Sequence, residues 1–329
     1  MTPPDGAAQS APLPDLPARD PAGHKGVFGT VAVVGGSASG GRRMVGAPAL
    51  AALGALRGGA GLVRVVAPRP VLDAVLVIAP SATGVALPVD GDDAIIAHEA
   101  AAVFDGVLAD VDCLVVGPGL GADDGARSLA LRAVQQDRTP VVVDADAINA
   151  LSQVPELWRD FHAPAVLTPH PGEFRRMAGP LRINADPTTS AERLAGAEGM
   201  AQRLGCIVVL KGAGTVVSDG YRSWVCERGH ACLATAGTGD VLAGLIGAIV
   251  SQFVPRPDPT VSALPDSLRA RVPPDPRRPL SLFDAACLAV QAHAIAGERW
   301  ADSRRAQAGL LAAELADLLP DTLSSLRRR

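Results

Sequence analysis

Short runs that are apolar at nearly every position, not at alternate ones, set the first limit on what this chain can become. Thr30-Val31-Ala32-Val33-Val34, Leu62-Val63-Arg64-Val65-Val66-Ala67, Val111 to Val116, Pro140 to Val143, Ala165-Val166-Leu167 and Cys206-Ile207-Val208-Val209-Leu210 all have strand length. A strand apolar on both faces belongs inside a parallel sheet covered by helices on each side. Each run ends in a glycine-rich or polar loop, and alanine-rich segments such as Ala47 to Leu56 supply the helices between them. Repeated, that unit predicts a three-layer α/β/α fold with a mostly parallel central sheet and ligand loops at the carboxyl ends of its strands. Thr215 to Tyr221 reads as a hairpin, Phe283 to Trp300 as an apolar helix holding a packed His293, and Ala306 to Leu318 as a closing helix.

Composition narrows the partners. With 48% apolar residues, 19% charged and only 3% aromatic among 329, the core is to be built from small aliphatic side chains, and aromatic platforms for nucleobases are not expected. The net charge is −4 and no long basic run precedes Arg327-Arg328-Arg329, so neither nucleic acid nor a membrane is expected as a partner. The five cysteines, at 113, 206, 226, 232 and 287, contain no C-x-x-C pair and read as buried thiols of a reducing, cytoplasmic compartment. No signal peptide is expected at the start, and the longest apolar run, Val241 to Val250, is too short for a bilayer. Residues 1–23, rich in Pro, Ala and Asp, are expected to be a disordered tail, and 24–329 a single domain. Residues 255–280, rich in Pro and Arg, read as a loop inserted between two helices.

The chemistry concentrates in Ala234-Thr235-Ala236-Gly237-Thr238-Gly239-Asp240, where small residues give way to the apolar run of helical length. A helix starting near Asp240 turns unpaired N–H groups and the positive end of its dipole toward one point, where the glycines let a ligand come close. An anion site with a carboxylate beside it is how phosphoryl-transfer centres combine charge stabilisation with a base for a hydroxyl; a helix-capping Asp240 is the alternative. Lys211-Gly212-Ala213-Gly214-Thr215 offers a cation, bare amides and a hydroxyl for phosphates, or merely enters a hairpin. His170 lies rigidly between two prolines ahead of Gly172-Glu173, and Asp144 with Asp146 can hold Mg²⁺ through water or cap a helix. Standard nucleotide loops fail by spacing. After Val34 the glycines do not fall as G-x-G-x-x-G, no acidic residue ends the next strand, and Gly36-x-x-x-x-Gly41 is followed by Arg42 instead of Lys.

In order along the chain, Val45-Gly46-Ala47-Pro48-Ala49-Leu50-Ala51-Ala52, Arg57-Gly58-Gly59-Ala60-Gly61, Val116-Gly117-Pro118-Gly119-Leu120-Gly121, Val143-Asp144-Ala145-Asp146-Ala147-Ile148-Asn149, Thr168-Pro169-His170-Pro171-Gly172-Glu173, Val209-Leu210-Lys211-Gly212 and Ala236-Gly237-Thr238-Gly239-Asp240 closely resemble the ADP-dependent NAD(P)H-hydrate dehydratases. That family has the ribokinase-like fold, and the matching pieces run from about His24 to Trp300. The resemblance implies a repair lyase that dehydrates NADH or NADPH hydroxylated at C6 while ADP becomes AMP and phosphate, with Mg²⁺ required. It places Ala47, Gly119, Gly121, His170 and Asp240 on the hydrate, with Asp240 catalytic. Lys211, Gly212, Ala213, Gly214, Thr215, Gly237, Thr238 and Gly239 fall on the nucleotide. It further implies a homo-oligomer, a tetramer by family habit, paired with a separate hydrate epimerase, since only a short tail precedes His24. His230 and Leu233 stand where the family usually has Asn and Met. An ATP-dependent kinase of the same fold, acting on a thiazole- or pyridoxal-type alcohol, would share Asp240 without needing His170, and a non-catalytic nucleotide-binding module would not need Asp240.

Overall fold

The computed structural model describes residues 12–256 and 275–327, together with Val261, Leu264, Pro265, Leu268 and Arg271. Its centre is β1 (Thr30–Val34), paired in parallel with β2 (Leu62–Pro68) on one side and β4 (Cys113–Val116) on the other. The strands run β3 (Thr83–Leu87), β2, β1, β4, β5 (Val141–Val143), β6 (Ala165–Leu167), β7 (Ile207–Leu210), β8 (Val216–Ser218), β9 (Ser223–Val225). The first seven are parallel; β8 and β9 close the edge as the expected antiparallel hairpin. The chain moves outward from β1 to β3 and then returns to β4, so a topological switch point lies between β1 and β4.

Period-2 geometry sorts the apolar strands onto two faces. Val31, Val33, Val115, Val142, Val166 and Val209 meet one helical layer, made of α1 (Gly46–Arg57), α2 (Arg69–Ile78), α8 (Thr238–Phe253), α9 (Leu282–Arg304) and α10 (Ala312–Ser325). Ala32, Val34, Leu114, Val116, Val143, Leu167 and Leu210 meet the other, which holds α3 (Ala97–Ala109), α4 (Asp124–Gln135), α5 (Asp146–Leu151), α6 (Pro171–Leu181) and α7 (Ser190–Leu204). These are the three layers expected. β3, whose glycine and exposed face leave little apolar pattern, was not legible beforehand. The last helix begins at Ala312, not Ala306, because Gly309 takes a left-handed φ of 96° and Leu310 turns into the core.

Helix α8 is buried along its whole length beyond Asp240, so no polar face is available to it. It fits only because glycines face its neighbours. A Cβ at Gly244 would stand 1.9 Å from the Ala51 carbonyl oxygen of α1, and one at Gly54 would stand 2.3 Å from the Val241 carbonyl oxygen. Gly247 brings the same helix onto Val115 of the sheet.

Of the tail expected to be disordered, residues 1–11 lie outside the described residues, and 12–23, mostly exposed, are held to the fold at Leu16. Leu16 is buried and its N–H donates to the Leu326 carbonyl, while the Arg19 guanidinium covers the Phe28 ring. One buried leucine outweighs the Pro-rich composition there. Half of the 255–280 insert also lies outside the described residues. Its two ends are tied by Arg256 and Arg278 to Asp112, which precedes β4 at the end of the sheet remote from the strand-end loops.

Gly244→Ala tests the helix contact by its sign. In an open helix that change stabilises by about 1 kcal/mol; here overpacking against backbone should destabilise by about 1–3 kcal/mol, read from the urea midpoint at unchanged slope.

Candidate active site

Five strand-end loops converge at the carboxyl edge of the sheet. After β1, Gly35 and Gly36 let the chain touch the β4 loop: the Gly36 N–H donates to the Pro118 carbonyl at 2.9 Å, and a Cβ at Gly35 would collide with that same oxygen. Close approach, not phosphate binding, accounts for this glycine pair. Beside it, Gly119 (φ 61°) has space for a hydrogen only, because a Cβ there would meet Met44 at 2.1 Å and the Ala47 Cβ at 3.2 Å. Gly121 sits against Ser37, and its N–H donates to Asp146 Oδ2 at 3.0 Å. Ala47, Gly119 and Gly121, far apart in sequence, therefore share the wall of the switch-point crevice.

The β5, β6 and β7 loops carry a connected polar network. Asp144, 1% exposed, accepts from Thr168 Oγ1 at 2.7 Å and from Lys211 Nζ at 2.7 Å. The ammonium also lies 3.9 Å from Glu173 Oε2. Burial opposes its charge, but Asp144 first and Glu173 second outweigh that, and the Lys211 pKa is raised. His170 caps α6. Its Nδ1 accepts from the Gly172 N–H at 2.9 Å, and its own N–H donates to Glu173 Oε2 at 2.8 Å, a reciprocal box that holds the T-P-H-P-G-E turn. Burial, Lys211 and Arg176 lower the His170 pKa, so the half-exposed ring is neutral at neutral pH, with its Nε2 3.3 Å from Glu173 Oε1. Burial raises the Glu173 pKa. Asp146, hydrogen-bonded to Gly121, and Asp144, paired to Lys211, serve neighbours from other loops.

Helix α8 enters from above this network. Gly237 is its N-cap at φ 91°, a conformation an L side chain resists, and a Cβ there would strike Leu50 of α1. One turn back on α1 lies Ala47, which joins the two walls. The N–H groups of Gly239 and Asp240 have no acceptor among the described residues, leaving donors and a positive dipole end at the crevice. Lys211 Nζ stands 3.5 Å from where a Cβ of residue 239 would lie, so the expected nucleotide loop and the α8 turn meet there. Asp240 is the titrating group of the site. Burial, reinforced by the Asp144 carboxylate and countered by Lys211, pushes its carboxyl up to about 7. A carboxyl poised there is matched to general-base work at neutral pH.

Beneath the turn, His293 Nε2 lies 2.9 Å from the Thr238 carbonyl oxygen. Burial pushes this imidazole down to about 4, so it is neutral, and because a carbonyl only accepts, Nε2 carries the proton. His293 is the packed helix residue expected, and it also anchors the α8 turn. His230 caps the short 3₁₀ turn at Ala231–Leu233, its Nδ1 accepting from the Cys232 N–H at 3.2 Å. An Asn side chain fills that role as well, so this departure keeps the turn's geometry. Leu233 packs on Gly297. Sequence reading passed over Arg193, which α7 buries behind Gly212; a lone Arg in a helical stretch carries no pattern that marks it. All five cysteines are free and buried, and no helix of the described residues is long and apolar enough to cross a membrane.

Comparison with known proteins gives a consistent family. The family model described as NAD(P)H-hydrate dehydratase matches residues 31–321. The chain is 35% identical over 301 residues to an ADP-dependent (S)-NAD(P)H-hydrate dehydratase of Neisseria meningitidis, covering 89% of this chain and 84% of that protein. It is also 35% identical over 317 residues to a bifunctional NAD(P)H-hydrate repair enzyme of Moorella thermoacetica, covering 94% of this chain and 52% of the relative. The chain thus spans about half the length of such bifunctional relatives. Among solved structures, the ADP/ATP-dependent NAD(P)H-hydrate dehydratase of Bacillus subtilis, co-crystallised with ATP and Mg²⁺, matches with TM-score 0.69 at 28% identity, covering 95% of each chain. The fold is the ribokinase-like one.

Two variants test the electrostatics without any substrate. From about pH 4 to about 7, folded protein holds a proton on Asp240 that unfolded chain has released, so stability falls as pH rises through that window. Asp240→Asn should remove that slope, making the variant more stable than its parent at pH ~8 by about 2–4 kcal/mol and equal to it below pH ~4. Lys211→Met leaves Asp144 buried without its cation and should cost about 3–5 kcal/mol by denaturant unfolding at neutral pH.

Proposed function

We infer the reaction from one premise: the chain belongs to the NAD(P)H-hydrate dehydratase family. It is a metabolite-repair hydro-lyase that returns the S-epimer of 6-hydroxylated NADH or NADPH to the working cofactor, with ADP converted to AMP and phosphate. One observation carries the reading. A carboxyl held near neutrality, Asp240, stands at a helix N-terminus whose amides face the same crevice. A hydrate site and a nucleotide site then fall on its two sides: Ala47, Gly119, Gly121 and His170 toward the hydrate, and Lys211 to Thr215 with Gly237, Thr238 and Gly239 toward ADP.

Asp240 takes the proton of the C6 hydroxyl as that oxygen attacks the β-phosphorus of ADP. The bond from phosphorus to the bridging oxygen breaks, and AMP leaves with its electron pair. The α8 amides face the charge that develops on the transferred group. The ring-nitrogen lone pair next expels phosphate from C6, the adjacent carbon releases a proton, and the dihydronicotinamide double bond re-forms. Written as a whole, hydrate and ADP give NAD(P)H, AMP and phosphate. The half-exposed His170 ring, neutral and fixed by its box, borders the nicotinamide side in this reading.

The residues present suit Mg²⁺ delivered on the nucleotide. Mg²⁺ is commonly held by one or two carboxylates together with substrate phosphates, and among the described residues no group of three or more His, Cys, Asp or Glu forms a ready cage. In this reading Asp144 and Asp146 would meet such an ion through water. When bound, it neutralises phosphate charge. A partnership with a hydrate epimerase is supported by the bifunctional names of relatives about twice as long, and a cytoplasmic, homo-oligomeric setting belongs to the same proposal.

Acid-hydrated NADPH should recover its near-ultraviolet absorbance when protein, ADP and Mg²⁺ are present together, and not when the nucleotide is left out. Absence of recovery with ADP or ATP, from protein that still binds nucleotide, would overturn the dehydratase in favour of a kinase on a small alcohol. The rate at limiting hydrate should rise with pH through about 7 as Asp240 ionises. Asp240→Asn should lose about 10³-fold or more in turnover while nucleotide affinity stays within a few-fold.

A further inference from the structure

Arg193 is a buried cation without a counter-charge. It is 6% exposed, its Nε has no hydrogen-bond partner, and no carboxylate pairs with it among the described residues. Its guanidinium spends its other donors on carbonyls: NH1 on Pro187 at 2.9 Å, NH2 on Leu210 at 3.0 Å and on Gly214 at 3.3 Å. Two of those carbonyls belong to the end of β7 and to the loop behind it. Between them, Gly212 (φ 146°) lies directly on the guanidinium, where a Cβ would meet its nitrogen at 2.7 Å. The arginine therefore shapes the Lys211–Thr215 loop from behind.

Its charge matters because of what stands in front. The crevice gathers the carboxyl groups of Asp144, Asp146, Glu173 and Asp240, against which Lys211 is the paired cation and Arg176, hydrogen-bonded to Asn149, lies at the rim. A nucleoside diphosphate entering that crevice meets more negative than positive charge. Desolvating a guanidinium with no carboxylate to compensate it costs free energy, and burial alone lowers the Arg193 pKa. The carbonyls offset part of that cost. An anion on the other side of the thin, exposed glycine loop offsets more, with the attraction acting through the loop and partly screened by solvent.

We propose that Arg193 is a positioning residue of the nucleotide site: from behind Gly212 it holds the Lys211–Thr215 loop in shape and supplies the positive field that retains the phosphates of ADP. This inference rests on the nucleotide reading of that loop. Arg193 acts through the loop without touching the ligand, so its contribution grows with phosphate charge and leaves the nucleoside indifferent.

Calorimetric titration of adenosine, AMP and ADP into the whole protein tests it. Arg193→Met should weaken ADP by about tenfold or more and AMP by less, with adenosine unchanged within about twofold. Arg193→Lys should restore most of the ADP affinity. At saturating ADP the variant's turnover should stay near the parent's while the ADP KM rises. An equal loss for all three ligands means a merely structural residue and overturns the proposal, as does no loss at all. Should the Met variant fail to fold, Arg193→Gln, which keeps donors for the carbonyls and drops the charge, carries the same comparison. Parent protein that binds neither ADP nor ATP would sink the nucleotide reading itself, an outcome separable from any behaviour of the variants.

Discussion

The rest of the site depends on a helix that has no face to show to water. Apolar on every side after Asp240, α8 must be enclosed by α1, α9, α10 and the sheet, and glycines at 54, 244 and 247 permit the backbones to close to that distance. Enclosing a helix also encloses its end. The amides and dipole of α8 are carried into the crevice at the β1–β4 switch point, and Asp240, three residues in, loses much of its water. The same packing that stabilises the fold thus raises the carboxyl proposed to act as the base. Stability and function pull apart here: an ionised Asp240 is what a base requires and what the folded state resists.

Charge placement follows from that enclosure. The strand-end loops bring carboxylates from β5, α5, α6 and α8 into one space, with Lys211 the cation drawn in among them. Asp144 holds Lys211, Thr168 holds Asp144, and Glu173 closes the turn that carries His170. Each charged group is a partner to a neighbour from another loop, so the network fixes the loops relative to one another as well as tuning them. On the proposed reading, anionic substrates need positive charge from beyond this set, which a divalent ion arriving on the phosphates would bring.

Much of this was legible in the residues. Runs such as Val31–Val34 and Val141–Val143 announce a buried parallel sheet because exposed strands alternate and these do not. Gly237 to Asp240 announces a close-approach turn because small residues before a long apolar run leave little else to make. Other parts were silent for physical reasons. β3 is an edge strand with a half-exposed face, so its pattern is weak. Residues 12–23 look like a tail by composition, yet Leu16 alone gives them a place in the core. Arg193 looks like any helical arginine, since being buried without a counter-ion is a property of its surroundings.

The sequence by itself determined the layers, the order of the strand-end loops and the kinds of group each would carry, because local period and turn chemistry are written residue by residue. Only the tertiary structure decided which group answers which. Ala47 came to lie beside Gly119, Lys211 went to Asp144, His293 took the Thr238 carbonyl, and Arg193 ended behind Gly212. Those pairings span 19 to 72 positions of chain, and they arise from how two helical layers close on one sheet. A pKa near 7 on Asp240 belongs to the same class of fact, for burial and the charges of distant loops exist only once the chain has folded.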